Sequence, residues 1–534
     1  MAFILFVTLV LFLIGYTFYG RFLEKQYEIK EDEEVPSKTN FDGIDFIPTN
    51  KFILLGHHFS SIAGAGPIVG PIIAGMAYGW LPGLLWIVLG TLFIGGLHDF
   101  SALIASLRNK GRSIGEVAKN YMGKRVYKVF LLFVWFSLIY VITVFADLAA
   151  TTFAKEPPVA QVNIGYIFVA LTLGFILYRL KIKLSFATLI SLSLIGIIIL
   201  FSLEKSFINL SKEAWLWILI IYCFFASILP VWVLLQPRDY LSSFLLYSIL
   251  IIGIFGIFLG NYQISYPAFL SFNSQIGPLF PFVFITVACG AVSGFHSLVS
   301  SGTTSKQLDS IKNAKFVAYG GMILEGVLAV VALSTVMILS KDLIKSAKIP
   351  TEIFSLGVSN FFSQMGLNPK IGLIYGYLVI SAFILTTLDT ATRISRYILQ
   401  EFLNISRSSL KSRVTITLLC LILPVILLHI RFYAPDRSVI PAWKVIWPLF
   451  GSTNQLLAAL VLLTIYVWVR NFKSGKYLFI LIPAIFMIIT TLSALIYIIF
   501  GEVKLNIITL ISFTLIVLAL YMIVESIKVL SSKR

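Results

Sequence analysis

The sequence predicts an all-α polytopic membrane protein, and three observations carry that prediction. Of the 534 residues, 58% are hydrophobic, and the mean hydropathy is +0.95. Only 12% are charged, where a soluble domain carries about 25%. Apolar runs that could cross a hydrocarbon layer, which takes about 20 residues, recur along the whole chain. No stretch has the composition of a separate soluble domain.

Apolar runs bounded by charge and turn residues give about fifteen spans, at 2–20, 52–79, 81–106, 126–154, 160–178, 184–202, 213–235, 241–262, 279–302, 313–340, 371–399, 412–431, 446–470, 477–500 and 505–528. The first lacks a basic flank and a small-residue cleavage site, so it reads as a retained helix rather than a signal peptide. Most of the 41 Lys and Arg fall in alternate loops: 21–51, 107–128, 179–183, 236–240, 303–316, 393–413, 470–476 and the C-terminal tail. The positive-inside rule makes these loops cytoplasmic, with the N-terminus outside and the C-terminus inside. The most basic loop carries Arg108, Lys110, Arg112, Lys119, Lys124, Arg125 and Lys128, and its expected role is topological. Residues 31–48 are polar and acidic and predict a mobile cytoplasmic loop. Residues 261–278, rich in aromatics, Ser and Pro, predict an outer loop suited to a lid.

Several function classes are excluded. The net charge of +17 would suit nucleic acid, but the basic residues sit in short loops between spans, so no nucleic-acid partner is expected. No glycine-rich phosphate loop follows a strand and opens a helix, so nucleotide-driven transport is not expected. No histidine pair has the HExxH spacing, and His57 and His58, being adjacent, cannot both face one metal from a regular helix, although an unwound segment would allow it; metal binding is only a minor alternative to a site without metal, and no cofactor is expected. Cys223, Cys289 and Cys420 lie in apolar runs and imply no disulfide framework. A credible nucleophile–base pair is missing, which argues against an intramembrane enzyme.

The second span holds the densest polar signal. Gly56-His57-His58-Phe59-Ser60-Ser61-Ile62-Ala63-Gly64-Ala65-Gly66-Pro67-Ile68-Val69-Gly70-Pro71 combines histidines, serines, glycines and prolines. Gly costs a helix interior about 1 kcal/mol and Pro about 3 relative to Ala. Freed backbone groups survive at membrane depth only against protein or a water-filled cavity, so this span reads as a broken helix lining a site. Four of the five histidines, His57, His58, His98 and His296, lie in such small-residue spans. Ionisable side chains are costly there, which makes each a functional candidate. The ninth span repeats the style with Cys289, Gly290, Ser293, Gly294, His296, Ser297, Ser300 and Ser301; a tight helix seam would explain the small residues, but not the imidazole. His98 and Asp99 are adjacent on a helix and so read as two separate contacts rather than a bonded dyad. Asp147, Glu325 and Asp389 are lone acids, and Asp389 has Arg393 and Arg396 on its own face, as a buried pair would. Pro230 to Tyr240 reads as either a second broken helix or a helix terminus. Asn454 and Gln455, opening the thirteenth span, read as polar glue between helices.

These segments resemble the carbon starvation protein A family of membrane transporters. The resemblance is carried by Gly56-His57-His58-Phe59, Ile62 to Pro67, His98-Asp99, Gln236-Pro237-Arg238-Asp239-Tyr240, Ala288 to Ser297, Thr386 to Arg393, and Trp447 to Ala458. It implies a prokaryotic inner-membrane carrier taking up small nutrients, peptides or pyruvate, during carbon starvation. It also implies a leucine-transporter-like core of two inverted five-helix repeats with extra helices. On this expectation 1–51 is an extra helix and loop, 52–202 the first repeat, 213–399 the second, and 412–534 four additional helices. A rival register starts the second repeat at the ninth span.

The expected mechanism is ion-coupled alternating access. His57, His58, Ser60, Ser61, Gly64, Gly66, Ser293, His296 and Ser297 are the candidate substrate-binding residues. His57, His98, Asp99, His296, Ser300, Ser301 and Asp389 are the candidates for ion coupling, by proton or by sodium. A proton suits histidine, whose ordinary pKa lies near 6.5. The break at Gly64-Ala65-Gly66 would offer a positive half-helix end to a substrate carboxylate. The bilayer is the other partner, and the oligomeric state is open. A membrane sensor that binds the nutrient without moving it is the alternative.

Overall fold

The computed structural model describes residues 1–30, 32–41, 46–176, 180, 183–229, 234–347, 349–405, 409–433, 439–471, 477–501 and 507–531. It is helical almost throughout. The described strands form two small antiparallel pairs, Asn273–Ser274 with Gly277–Pro278 and Phe432–Tyr433 with Val439–Ile440. Twelve helices are long and apolar enough to span, or thirteen if the bent pair Lys51–Ile62 and Gly66–Tyr78 counts as one. Two further expected spans are a 17-residue helix, Lys212–Ile228, and an interrupted one, Leu279–Thr286 with Gly294–Val299.

The chain forms two compact units. One holds residues 1–5, 138–267 and 331–447. Its core is built on Pro369–Phe402, against which Pro350–Gln364 and Lys212–Ile228 pack. Pro350–Gln364 lies in a stretch expected to be loop. Pro350 in its first turn and Glu352 after it are a local helix-start signal, and Ile353, Phe354, Val358 and Phe361 bury its inner face.

This unit also corrects the expected partner of Asp389. Asp389 pairs with Arg238, not with Arg393 four residues on. Arg238 further donates to the Tyr222 hydroxyl at 2.5 Å and to Asp239 at 3.2 Å. Arg393 instead donates to the carbonyls of Ala226 and, at 2.8 Å, Leu229, the end of helix Lys212–Ile228. Helix carbonyls at a C-terminus lack intrahelical partners and attract a cation, so that end outcompetes the neighbouring carboxylate. Residues 230–233, where either a further break or a helix terminus was expected, lie outside the described residues.

The other unit holds residues 6–137, 268–330 and 448–534. Both interrupted spans begin here. The first breaks at Ala63–Ala65 and bends by 46°, where Pro67 and the flanking glycines prevent a continuous ladder. The second breaks between Thr286 and Gly294. The two breaks meet. A Cβ at Gly66 would lie 2.4 Å from Cys289 Sγ, and one at Gly70 would lie 2.4 Å from the Thr286 carbonyl oxygen. Only glycine permits that approach.

Two loops expected to move are tied down. Residues 47–49 pair with 306–308: Ile47 N–H donates to Lys306 O at 3.2 Å and Thr49 N–H to Gln307 O at 2.9 Å, while the Ser37 hydroxyl donates to Leu308 O. On the 261–278 segment, Leu270 N–H donates to Tyr78 O at 2.9 Å, and the Tyr78 hydroxyl donates to Gly277 O at 3.0 Å.

Candidate functional site

The second break frees backbone groups at membrane depth, and side chains from two other helices, Trp80–Arg108 and Ala442–Arg470, satisfy them. Trp86 Nε1 donates to Val287 O at 3.0 Å, and the Thr91 hydroxyl to Gly290 O at 3.1 Å. Gln455 Nε2 donates to Phe284 O at 2.6 Å. Asn454 Oδ1 accepts Phe295 N–H at 3.1 Å, and its Nδ2 donates to Ser293 Oγ at 3.0 Å. The polar glue anticipated at Asn454 and Gln455 thus acts on an unwound backbone. No Pro marks this break; Gly290, Ser293 and Gly294 are its local traces.

Just beyond it lies a chain of ionisable groups, each 0% exposed. His98 Nδ1 is 2.8 Å from Asp99 Oδ1. Asp99 Oδ2 is 2.9 Å from His296 Nδ1. His296 Nε2 is 3.2 Å from Glu325 Oε2, on helix Gly320–Ile338. The His98–Asp99 bond corrects the expectation of two separate contacts. Successive Cβ vectors on a helix diverge by about 100°, but Nδ1 is the ring nitrogen nearest the main chain and lies within reach of the neighbouring carboxylate. Asp99 therefore receives an imidazole on each oxygen.

Glu325 was anticipated only as a lone acid and was not a site candidate. Nothing local pointed to His296, because the two meet across separate helices.

The remaining candidates fall into distinct settings. His58 Nδ1 bonds Thr304 Oγ1 at 2.8 Å. His57 is half-buried, and its carbonyl accepts the hydroxyls of Ser60 at 3.1 Å and Ser61 at 2.7 Å. Gly64 and Gly66 form the break itself. Ser297 donates to Gly294 O at 2.7 Å and Ser301 to Ser297 O at 2.6 Å, on their own helix. Ser301 Oγ also accepts Ile114 N–H at 3.1 Å, so it braces the start of helix Ile114–Met122. Ser300 Oγ is buried and has no hydrogen-bond partner. Asp389 belongs to the other unit and its Arg238 pair. The fifth histidine, His429, bonds Glu213 at 2.9 Å.

Residues 1–353 and 340–494 match the family model described as "Carbon starvation protein CstA". The chain is 32% identical to the peptide transporter CstA of Bacillus subtilis (strain 168), over 89% of this chain and 87% of that protein. It is 30% identical to the peptide transporter CstA of Escherichia coli (strain K12), over 91% and 79%. It is 29% identical to the pyruvate/proton symporter BtsT of the same organism, over 91% and 80%. Among solved structures it is similar to the Eremococcus coleocola manganese transporter, with a TM-score of 0.53 at 11% identity, over 94% of this chain and 100% of that one. That likeness is one of fold, and the fold is leucine-transporter-like.

Proposed function

This chain belongs to the carbon starvation protein CstA family, and on that premise we propose that it takes up small carboxylate-bearing nutrients, peptides or pyruvate, by proton-coupled alternating access. It is a multi-span membrane transporter and not an enzyme. The observation that carries the proton reading is the fully buried chain His98–Asp99–His296, which starts next to a helix break. A proton taken up by this cluster offsets the charge of Asp99 and its release restores that charge, so the imidazoles and the carboxylate together can hold and give up one proton. Ser297 and Ser301, candidates for a sodium alternative, donate to carbonyls of their own helix.

The N-terminal end of Gly66–Tyr78 is the proposed seat of the substrate carboxylate, since a half-helix end carries partial positive charge. His57, His58, Ser60, Ser61, Ser293 and Ser297 line the approach to it in this reading. Pyruvate with one proton is electroneutral, whereas a zwitterionic peptide with one proton carries charge, so voltage sensitivity separates the two cargoes.

The two breaks favour the register in which the second repeat begins at the span from Leu279. The spans following each break, Trp80–Arg108 and the first part of Gly320–Ile338, then correspond. Those two broken spans and their followers share one compact unit.

Radiolabelled uptake into proteoliposomes tests the proposal. Accumulation of pyruvate or a dipeptide under an acid-outside gradient, independent of sodium, is the expected result. Accumulation that follows a sodium gradient at constant pH rejects proton coupling, and ligand binding without flux rejects transport.

A further inference from the structure

Glu325 stands apart from every other buried acid in its unit. Neither Oε1 nor Oε2 has a hydrogen-bond partner, and His296 Nε2, 3.2 Å from Oε2, also lacks one. Asp99 pairs only with imidazoles, and among the described residues no Lys or Arg forms an ion pair with Asp99 or Glu325. We propose that Glu325 and His296 share the transported proton, with Glu325 as the carboxylate that exchanges it. This rests on the proton-coupled reading above.

Proton bookkeeping carries the inference. An ionised Asp99 accepts from the Nδ1–H of both His98 and His296. His296 therefore bears its first proton on Nδ1. Two arrangements remain for the gap between Nε2 and Oε2. Either Nε2 is protonated beside an ionised Glu325, or Nε2 is bare beside a protonated Glu325. Transfer between them breaks the Nε2–H bond, forms Oε2–H and returns the electron pair to Nε2. Imidazolium and carboxylate become imidazole and carboxylic acid. Both arrangements hold one proton. Without it, a lone pair faces a carboxylate in a dry interior, where unpaired charge is costly. The contact between Nε2 and Oε2 lacks hydrogen-bond alignment, unlike the two Nδ1–H bonds to Asp99, so this is the proton of the cluster that no such bond fixes.

The surroundings are consistent with such a site. Asp99 and His98 face it from helix Gly96–Arg108, and His296 from Gly294–Val299. His58 faces it from Lys51–Ile62; its ring is 2.8 Å from where a Cβ would stand at Gly321, one turn before Glu325. Cys289 in the second break lies within electrostatic range of Glu325. Farther along, Lys315 is paired with Glu24 at 2.7 Å. Each helix bearing a member of the cluster also contains or abuts a π turn: Thr91–Gly95 before His98, Ser300–Thr304 after His296, and Lys315–Tyr319 before Glu325. Such turns are rare and recur at functional positions.

The test is E325Q, with E325D beside it, in proteoliposomes using radiolabelled pyruvate and dialanine as probes. Gradient-driven accumulation by E325Q should fall about ten-fold or more, to the level seen without a gradient. Counterflow between compartments of equal pH should persist, because it moves substrate without net proton release. E325D, whose carboxyl sits farther from Nε2, should fall between wild type and E325Q. If E325Q does not fold, E325D decides: driven uptake at the wild-type rate overturns the proposal. So does wild-type driven uptake by E325Q. So does loss of counterflow together with driven uptake in a monodisperse E325Q, which would place Glu325 in substrate binding or structure. Failure of the wild type to respond to the gradient with either probe is a separate outcome; it removes the proton-coupled reading, and this inference falls with it.

Discussion

Asn454 Oδ1 accepts the main-chain N–H of Phe295 at 3.1 Å, one residue before His296. The same amide donates to Ser293 at 3.0 Å, so one side chain closes the start of the half-helix that carries the imidazole. Replacing it with Leu leaves buried donors and acceptors unmet, which costs about 1–3 kcal/mol for each such group. N454L should lower the thermal midpoint of the detergent-solubilised protein. It should also reduce gradient-driven uptake more than counterflow, because His296 loses its fixed position. Equal loss of both activities would contradict this.

The reassigned partner of Asp389 gives a double-mutant cycle. Removing one partner of a buried ion pair costs about 3–5 kcal/mol, since the other charge is left uncompensated. D389N and R238M should each be strongly destabilising, and the double variant much less so than their sum. D389N and R393M should instead be nearly additive, because Arg393 serves the carbonyls of Ala226 and Leu229. Thermal unfolding of the three single and two double variants reads the couplings directly.

Glycine contacts between the two breaks predict opposite outcomes for two similar substitutions. A Cβ at Gly70 would stand 2.4 Å from Thr286 O and 3.3 Å from Val287 Cα, both main-chain atoms that cannot swing away. G70A should abolish uptake or folding. A Cβ at Gly302 would meet nothing within 4 Å. G302A should transport like the wild type, and its failure would show that bulk alone is not the cause.

Arg108 and Glu33 form a bidentate contact, at 2.7 and 3.0 Å. Burial alone would raise the Glu33 carboxyl, but the Arg108 hydrogen bonds, and that from the Lys30 N–H, outweigh it and hold the group below its ordinary value. A depressed acid stabilises the fold above its unfolded pKa, about 4.3 for Glu, and loses that contribution as pH falls through the folded value. The hydrogen-exchange protection factors of residues 28–30, 33 and 34, each taken against the intrinsic rate at the same pH, should therefore be highest near neutral pH and fall as pH drops below about 4. E33Q should exchange faster at neutral pH and show little of this acid step.

Orientation is open to a labelling experiment. The native cysteines are shielded from an aqueous label: Cys223 and Cys420 are buried, and Cys289 is half-buried. K110C, in the most basic loop, should react with an impermeant maleimide only from the cytoplasmic side. N273C, on an exposed loop, should react only from outside. The reverse pattern would invert the topology.

The first helix break was legible because its cause is local: Pro67 cannot donate and Gly64 and Gly66 weaken the helix on their own account. The second was only half legible. Its span showed small residues and an imidazole, but the unwinding from Val287 to Ser293 is stabilised by Trp86, Thr91, Asn454 and Gln455, which are distant in the chain. His98, Asp99 and His296 stood out because ionisable groups are rare at membrane depth. Glu325 met the same criterion yet had no neighbour in sequence to give it a role.

Hydropathy and charge alternation by themselves determined the helical class and the approximate spans, since both depend on the transfer of a short segment into an apolar medium, and the local chemistry of Gly64, Gly66 and Pro67 determined the first break. Which imidazole meets which carboxylate was decided only by the tertiary structure. Those contacts depend on how far each helix is turned and how closely it approaches its neighbours. Here the approach is set by Gly66 and Gly70 against Cys289 and Thr286, and the pairing of Asp389 with Arg238 rather than Arg393 follows from competition with the bare carbonyls of another helix end.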